Sequence, residues 1–173
     1  MEKETQPVEQ KNTKTSHNLG WLEPDDYQMI VAPCLKVAAE LAASRSDPKL
    51  FKDLPSMLCL MHLIESLGAL HIKQKAQLNP MLNQAAISKA PKAACMMVLA
   101  EGGVDKEQSA SLISSLALAY KKVLEAELTK ACDDEIHKAW AALKDGSQEQ
   151  FLALLEQAAK KFVVALDSWE RTR

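Results

Sequence analysis

Histidines and carboxylates are the residues of this sequence whose types and spacing come closest to a catalytic or metal-binding pattern. Metal sites in helical bundles combine carboxylates from four helices with Glu-x-x-His motifs on two of them. The segment 134–137 has Asp-x-x-His spacing, and 62–65 has the reverse order. No matched pair follows, so we expect no metal and no other cofactor. The acidic run 133–135 fits the start of a helix, where the helix dipole favours negative charge. The four histidines are His17, His62, His71 and His137.

His62 and Glu65 are the titratable pair inside the most apolar segment of the chain. At a spacing of three residues they reach one another on a helix. If both are buried, each needs a polar partner. One interpretation is a polar spot in a cavity or an interface. The other is a stripe that faces solvent or a polar N-terminal arm.

Other motifs that carry chemistry are missing from the sequence. Ser114-Ser115 has no glycine elbow and no base nearby, so it does not fit acyl transfer. Gly102-Gly103 follows no strand and is better explained as a helix stop than as a phosphate loop. The pairs Lys121-Lys122 and Lys160-Lys161 are short, and the net charge is −2, which does not favour nucleic acid. We therefore predict no catalytic residues.

Cysteine usage suggests a reducing compartment. The four cysteines, Cys34, Cys59, Cys95 and Cys132, each lie in a helical apolar pattern and form no CxxC pair. We expect four reduced, buried thiols, which suits a cytoplasmic protein. The first residues form no apolar signal sequence. The longest apolar run, 57–72, is interrupted and shorter than a membrane span, so we expect no membrane insertion.

The elements that must position these residues are helices. With 173 residues the chain fits one domain. Apolar residues recur at helical spacing, and no run has the period of a strand. We predict an all-α fold, a single compact bundle of six to seven helices over residues 20–173. Residues 1–19 are polar with cancelling charges, and we expect a flexible or partner-bound arm.

The first half of the bundle is punctuated by prolines. A helix should begin at Pro24, and Pro33 should kink it or end it early. After a loop at 45–54, a helix capped by Asp53 should start near Pro55 and occupy the centre of the bundle because it is apolar almost all round. Residues 80–101 should form two shorter helices divided by a proline.

Residues 104–145 contain no Gly and no Pro. Asp105 and Gln108 are spaced as a capping box at their start. One helix of this length would exceed a domain of this size, so we expect a break around Lys130–Asp134. The apolar stripe from Leu112 to Leu128 should share the centre of the bundle.

The last predicted helix follows Ser147, which forms a second capping-box pattern with Gln150. Its apolar residues step by four and three. The seam suits either packing on its own bundle or a coiled coil with a second copy. The seam residues are Phe151, Leu155, Ala158, Phe162, Ala165 and Trp169.

By elimination, the sequence predicts a non-catalytic interaction module: a cytosolic adaptor, chaperone-like or assembly subunit of a larger complex, whose partner is another protein. One alternative is a homo-oligomeric structural protein joined through the C-terminal helix. Another is a small-ligand or metal-binding bundle enzyme. A helical regulator is a further alternative, which the sequence does not distinguish from the adaptor. Methionines are frequent on adaptable binding surfaces. The candidate partner-binding residues are Met57, Met61, His62, Glu65, Met81, Met96, Met97, Phe151 and Trp169.

Overall fold

The fold is an all-α bundle, as predicted. A computed structural model describes residues 24–45, 53–78 and 89–172, with side chains through residue 74 in the second range. Within these ranges there is no strand and there are six helices. They are α1 (Pro24–Asp26, Tyr27–Val31 and Ala32–Ser44 in unbroken succession), α2 (Leu54–Leu78), α3 (Ala90–Glu101), α4 (Lys106–Glu125), α5 (Asp133–Lys144) and α6 (Gln148–Arg171).

Some predictions fall outside the described residues. They are the arm at 1–19, the first of the two short helices expected within 80–101, and the candidate residue Met81. The second short helix is present as α3, and Pro91 lies in its first turn. Proline is tolerated there because backbone N–H groups in the first turn have no partner within the helix.

Pro33 neither ends α1 nor leaves it a regular α-helix. The segment Tyr27–Val31 just before it is π-helical, and the Ala32 N–H donates to the Tyr27 carbonyl, one residue further back than in an α-helix. A proline has no N–H and crowds the carbonyl four residues earlier, which disfavours a regular turn here. The expectation of an early end was wrong, because this wider turn lets the helix continue to Ser44.

Helix α2 lies at the centre, as its composition predicted. It packs against each of the other five described helices. Between Met57 and Leu67 its apolar side chains are almost completely buried. A helix that is apolar on every side is stable only when neighbours cover it on every side.

Helix α4 is peripheral, so the prediction that its stripe shares the centre was wrong. Leu116, Tyr120 and Val123 are buried, but Leu112 and Leu124 are exposed. Helix α2 packs most extensively against α3, α1 and α6, while α4 packs mainly on α2 and α3. Alanines and serines separate the leucines of α4, and its apolar face is too narrow to be enclosed.

The long stretch between glycines is broken, as predicted. Helix α4 ends at Glu125, and Glu127 adopts the left-handed conformation with φ of 60°. A 3₁₀ turn, Leu128–Cys132, then leads into α5 at Asp133. The break begins a few residues earlier than the expected Lys130–Asp134.

The two predicted capping boxes behave differently. The Asp105 carboxylate accepts a hydrogen bond from the Gln108 backbone N–H at 2.8 Å. Ser147 stands at the corresponding position of α6 but makes no side-chain cap bond. Gly103 ends its turn with φ of 87°, which confirms the helix stop, since this conformation suits glycine.

The seam of α6 faces the interior of its own bundle. Phe151, Leu155, Ala158 and Phe162 are fully buried, and Trp169 is partly buried. Most of the seam is therefore already covered by α5, α2 and α1.

All four cysteines are free and buried, as expected. Burial raises the pKa of each thiol, to about 12 at Cys95 and Cys132. A protonated thiol in the core is a poor nucleophile, so the cysteines serve as small apolar side chains.

Part of α2 has the length and hydropathy of a membrane-crossing helix. This segment, Leu54–Gln74, is 67% buried within the bundle. A buried core helix meets the same criteria.

Candidate functional site

A buried polar contact joins α2 to α4. His62 Nδ1 lies 2.9 Å from the Tyr120 hydroxyl, and both side chains are buried. The imidazole stacks on the Phe162 ring of α6, with centroids 5.3 Å apart. Three helices thus meet at one histidine.

Tyr120 also connects His62 to Glu65. A hydrogen bond with Tyr120 counteracts the burial that raises the pKa of the Glu65 carboxyl. The Tyr120 hydroxyl thus contacts both the imidazole of His62 and the carboxyl group of Glu65. His62 and Glu65, which the sequence predicted to reach one another, each contact Tyr120, a residue 58 positions beyond His62 in the chain.

The imidazole of His62 is neutral. Burial lowers its pKa to about 4, although the Asp133 carboxylate opposes the shift. Burial also raises the pKa of the Tyr120 phenol, with the Glu65 charge as a second cause. A neutral imidazole is a potential base. In this cluster, however, the ring is held in the core by its contact with the Tyr120 hydroxyl and by stacking on Phe162.

A second buried polar pair, Asp26 and His71, was not predicted. His71 Nε2 lies 2.7 Å from Asp26 Oδ1, which links the start of α1 to α2. The His71 ring meets the edge of Trp140 with centroids 5.9 Å apart. Asp26 looked like an ordinary first-turn acid in the sequence, and a contact between positions 45 residues apart leaves no local signal.

Arg45, at the end of α1, contacts both α6 and the residue that precedes α2. Its guanidinium donates to both carboxylate oxygens of Asp167 on α6, at 2.9 and 3.4 Å. Its Nε lies 3.2 Å from Asp53 Oδ2, just before α2. Asp53 also accepts from the Ser56 hydroxyl, which supports its predicted place at the start of α2.

The described residues contain no group of three or more His, Cys, Asp or Glu side chains placed to hold a metal ion. The candidate segments 134–137 and 62–65 lie on different helices, α5 and α2. His137 Nδ1 is 2.9 Å from the carbonyl of Asp133, within its own helix.

An apolar groove is lined by the first turn of α2, by the second and third turns of α4 and by one residue of α3. Its volume is about 320 Å³. Leu54 and Leu112 stand at its rim, 50% and 42% exposed. The lining residues are Leu54, Met57, Leu99, Leu112, Ile113, Ser115 and Leu116.

The outer surface of α4 beside this groove carries no charge. From Gln108 to Tyr120 no residue is charged, although most of these side chains are exposed. Leu118 is 62% exposed. Solvated helix faces are normally polar or charged. The helical spacing of these leucines predicted a core position, whereas the absence of charge was the available signal for an exposed apolar surface.

The predicted partner-binding residues are scattered. Met57 is buried at the floor of the groove, and Met61, His62, Met97 and Phe151 are buried elsewhere. Glu65 is exposed, and Met96 and Trp169 are partly buried. Among the predicted residues that the structure describes, Met57 alone lines the groove.

Compared with protein families, with curated protein sequences and with solved structures, this chain gives no match in any of the three.

Proposed function

We propose that this protein is a non-catalytic interaction module that binds another protein through the apolar groove and the uncharged outer surface of α4. The observation that carries the proposal is the combination of exposed leucines with a charge-free stretch of helix. Apolar surface of this kind, bordered by polar residues, is typical of protein interfaces. A role as a cytosolic adaptor or assembly subunit of a larger complex follows from this proposal.

The character of the groove supports protein recognition rather than a reaction. Its lining is aliphatic apart from Ser115. The neutral His62 lies five residues beyond Met57 on α2, and its partner Tyr120 lies four residues beyond Leu116 on α4, both among core side chains. Helix-in-groove recognition uses a groove of aliphatic side chains that receives apolar anchors from the partner.

The test compares two charge substitutions on exposed apolar residues. Leu54→Glu puts a carboxylate at the groove rim, and Val164→Glu is the matched control on α6, where Val164 is 67% exposed. Tagged proteins are used to capture partners, which mass spectrometry identifies. We expect Leu54→Glu to lose a set of proteins that the wild type and Val164→Glu retain.

Equal capture by both variants would contradict the groove as the interface. Capture of nothing specific by the wild type would contradict binding to a different protein. Deleting residues 1–19 in parallel decides whether the arm contributes, since an unchanged partner set excludes it as the contact.

A further inference from the structure

We propose that the uncharged face of α4 binds a second copy of this chain, with two α4 helices crossing antiparallel about Ser115. This inference rests on the proposed function, because it assumes that the charge-free surface is an interface. It goes further by naming the occupant.

The exposed leucines of α4 are arranged symmetrically about Ser115. Leu112 and Leu118 are three residues before and three residues after Ser115, so all three lie on one face of the helix. The two leucines are 42% and 62% exposed. With a twofold axis at Ser115, Leu112 of one copy lies opposite Leu118 of the other, and the same contact forms twice. A twofold interface requires this kind of self-complementary surface.

The other side chains on this face are small. Ser111, Ser115 and Ala119 follow one another at intervals of four residues, which places them in a row along the helix. Small side chains let two helices approach closely, since the distance between axes depends on the residues at the contact. In the antiparallel pair, Ser111 lies opposite Ala119 of the other copy.

The proposed dimer face also avoids repulsion between like charges. Near a twofold axis a residue lies close to its own copy, so a charged residue there is repelled. The nearest charge on this face is Lys122, which pairs with the uncharged Gln108 of the other copy. Antiparallel packing also aligns the two helix dipoles favourably. A self-complementary, uncharged face of this kind fits a second copy.

The contact is limited in extent. From Gln108 to Lys122 the face is about 21 Å long. Interfaces below roughly 1,200 Å² of total buried area are typical of weak complexes, so we expect a reversible dimer rather than an obligate one.

Sedimentation velocity over a range of concentrations tests this inference. The wild type and Val164→Glu should both shift towards dimer as concentration rises. Leu118→Glu should weaken the dimer roughly tenfold or more, because each copy would bury a carboxylate against a leucine. Leu118 does not line the groove, so this variant leaves the groove residues unchanged.

Crosslinking adds a test that does not depend on affinity. The native thiols are buried, so an introduced thiol on α4 is the accessible one. Treated with diamide, two thiols form a disulfide as the oxidant accepts two electrons and two protons. Ser115→Cys, at the proposed axis, should give a covalent dimer much faster than Ser114→Cys, which is also exposed but lies off this face.

Three results would overturn the dimer. The first is a wild type that stays monomeric at about 0.5 mM, a concentration at which a weak complex is populated. The second is a Leu118→Glu variant that dimerises as strongly as the wild type. The third is crosslinking at equal rates in Ser114→Cys and Ser115→Cys. A monomeric wild type whose partner capture is lost only in Leu54→Glu would reject the dimer and retain the proposed function. Capture unaffected by Leu54→Glu would reject the groove instead.

Discussion

A single tyrosine hydroxyl contacts two polar side chains of α2, the buried His62 and the exposed Glu65. Tyr120 therefore connects α4 to α2. A buried polar group costs free energy unless it is hydrogen-bonded. The His62 imidazole is accommodated because it is neutral and because Tyr120 supplies a partner.

The lowered pKa of His62 predicts an acid-sensitive contribution to stability. The pKa is about 4 in the folded protein against 6.5 for an unperturbed imidazole. Between these values the unfolded chain binds the proton and the folded protein does not, so stability falls as pH falls below 6.5. We expect the wild type to lose about 2 kcal/mol more than His62→Gln between pH 7.5 and pH 5.

Urea unfolding of both proteins at several pH values measures this difference. Glutamine keeps a hydrogen-bonding side chain but has no proton to gain in this range. Other carboxylates contribute similarly in the two proteins and cancel in the comparison. The same slope in the wild type and His62→Gln would show that His62 is accessible to protons in the fold.

The residue contacts were only partly predictable. Local spacing identified His62 and Glu65 as polar residues in an apolar segment. It left open whether they are buried, and it gave no sign of Tyr120. Asp26 and His71 show the same limit, because a side-chain contact between distant helices depends on how those helices pack.

At the scale of the helices, a side-chain cap forms at α4 and is missing at α6. The Asp105 carboxylate binds the Gln108 N–H, whereas Ser147 makes no comparable bond. The sequence patterns at the two sites looked equivalent. Each correctly marked the start of a helix, but the side-chain bond also requires the right rotamer and backbone geometry.

Alanine substitutions at the two caps should differ in cost. Asp105→Ala should lower the free energy of unfolding by about 1 kcal/mol, because one backbone donor loses its partner. Ser147→Ala should change it by less than about 0.5 kcal/mol, since no side-chain bond is lost. Denaturant unfolding under identical conditions compares them, and equal losses would mean that Ser147 also caps its helix.

The left-handed residue after α4 offers a stabilising substitution. Glu127 has φ of 60°, which is unfavourable for a residue with a Cβ. Glu127→Gly should raise the free energy of unfolding by up to about 1 kcal/mol, although it removes the exposed contact with Lys130. Glu125→Gly, at the last helical position, should lower it by about 1 kcal/mol.

Thermal unfolding of these two variants provides the check. Opposite shifts in Tm are expected because the same new residue enters two different backbone conformations. A fall in Tm for both would contradict the assigned conformation at Glu127.

Which helix occupies the centre was only half predictable. The composition of α2 requires enclosure, and the structure agrees. Helices α4 and α6 both have an apolar stripe, yet the stripe of α6 is buried and that of α4 is buried only in part. The stripe of α6 holds Phe151 and Phe162, while small residues interrupt that of α4. Larger side chains bury more apolar area, so packing against α2 stabilises the stripe of α6 more than that of α4.

At the scale of the whole molecule, one core extends through all six described helices. Each cysteine lies in it, with 0% exposure and a raised thiol pKa. A thiol reagent therefore reaches a cysteine only after the protein opens.

Thiol labelling should consequently report the opening of the core. We expect the four native thiols to react with an aromatic disulfide reagent slowly, and rapidly in denaturant. Ser114→Cys provides the positive control, because its introduced thiol is exposed. Fast reaction of a native cysteine without denaturant would show that its helix opens separately from the rest of the core.

The enclosure of α2 has a consequence during synthesis on the ribosome. This apolar helix leaves the ribosome before α3, α4, α5 and α6, each of which covers part of it in the finished fold. Until the last described helix has emerged, the nascent chain presents a segment with the hydropathy of a membrane span. Such exposed surface favours aggregation and attracts chaperones. Nascent chains that end before α6 should therefore depend on chaperones far more than the finished chain.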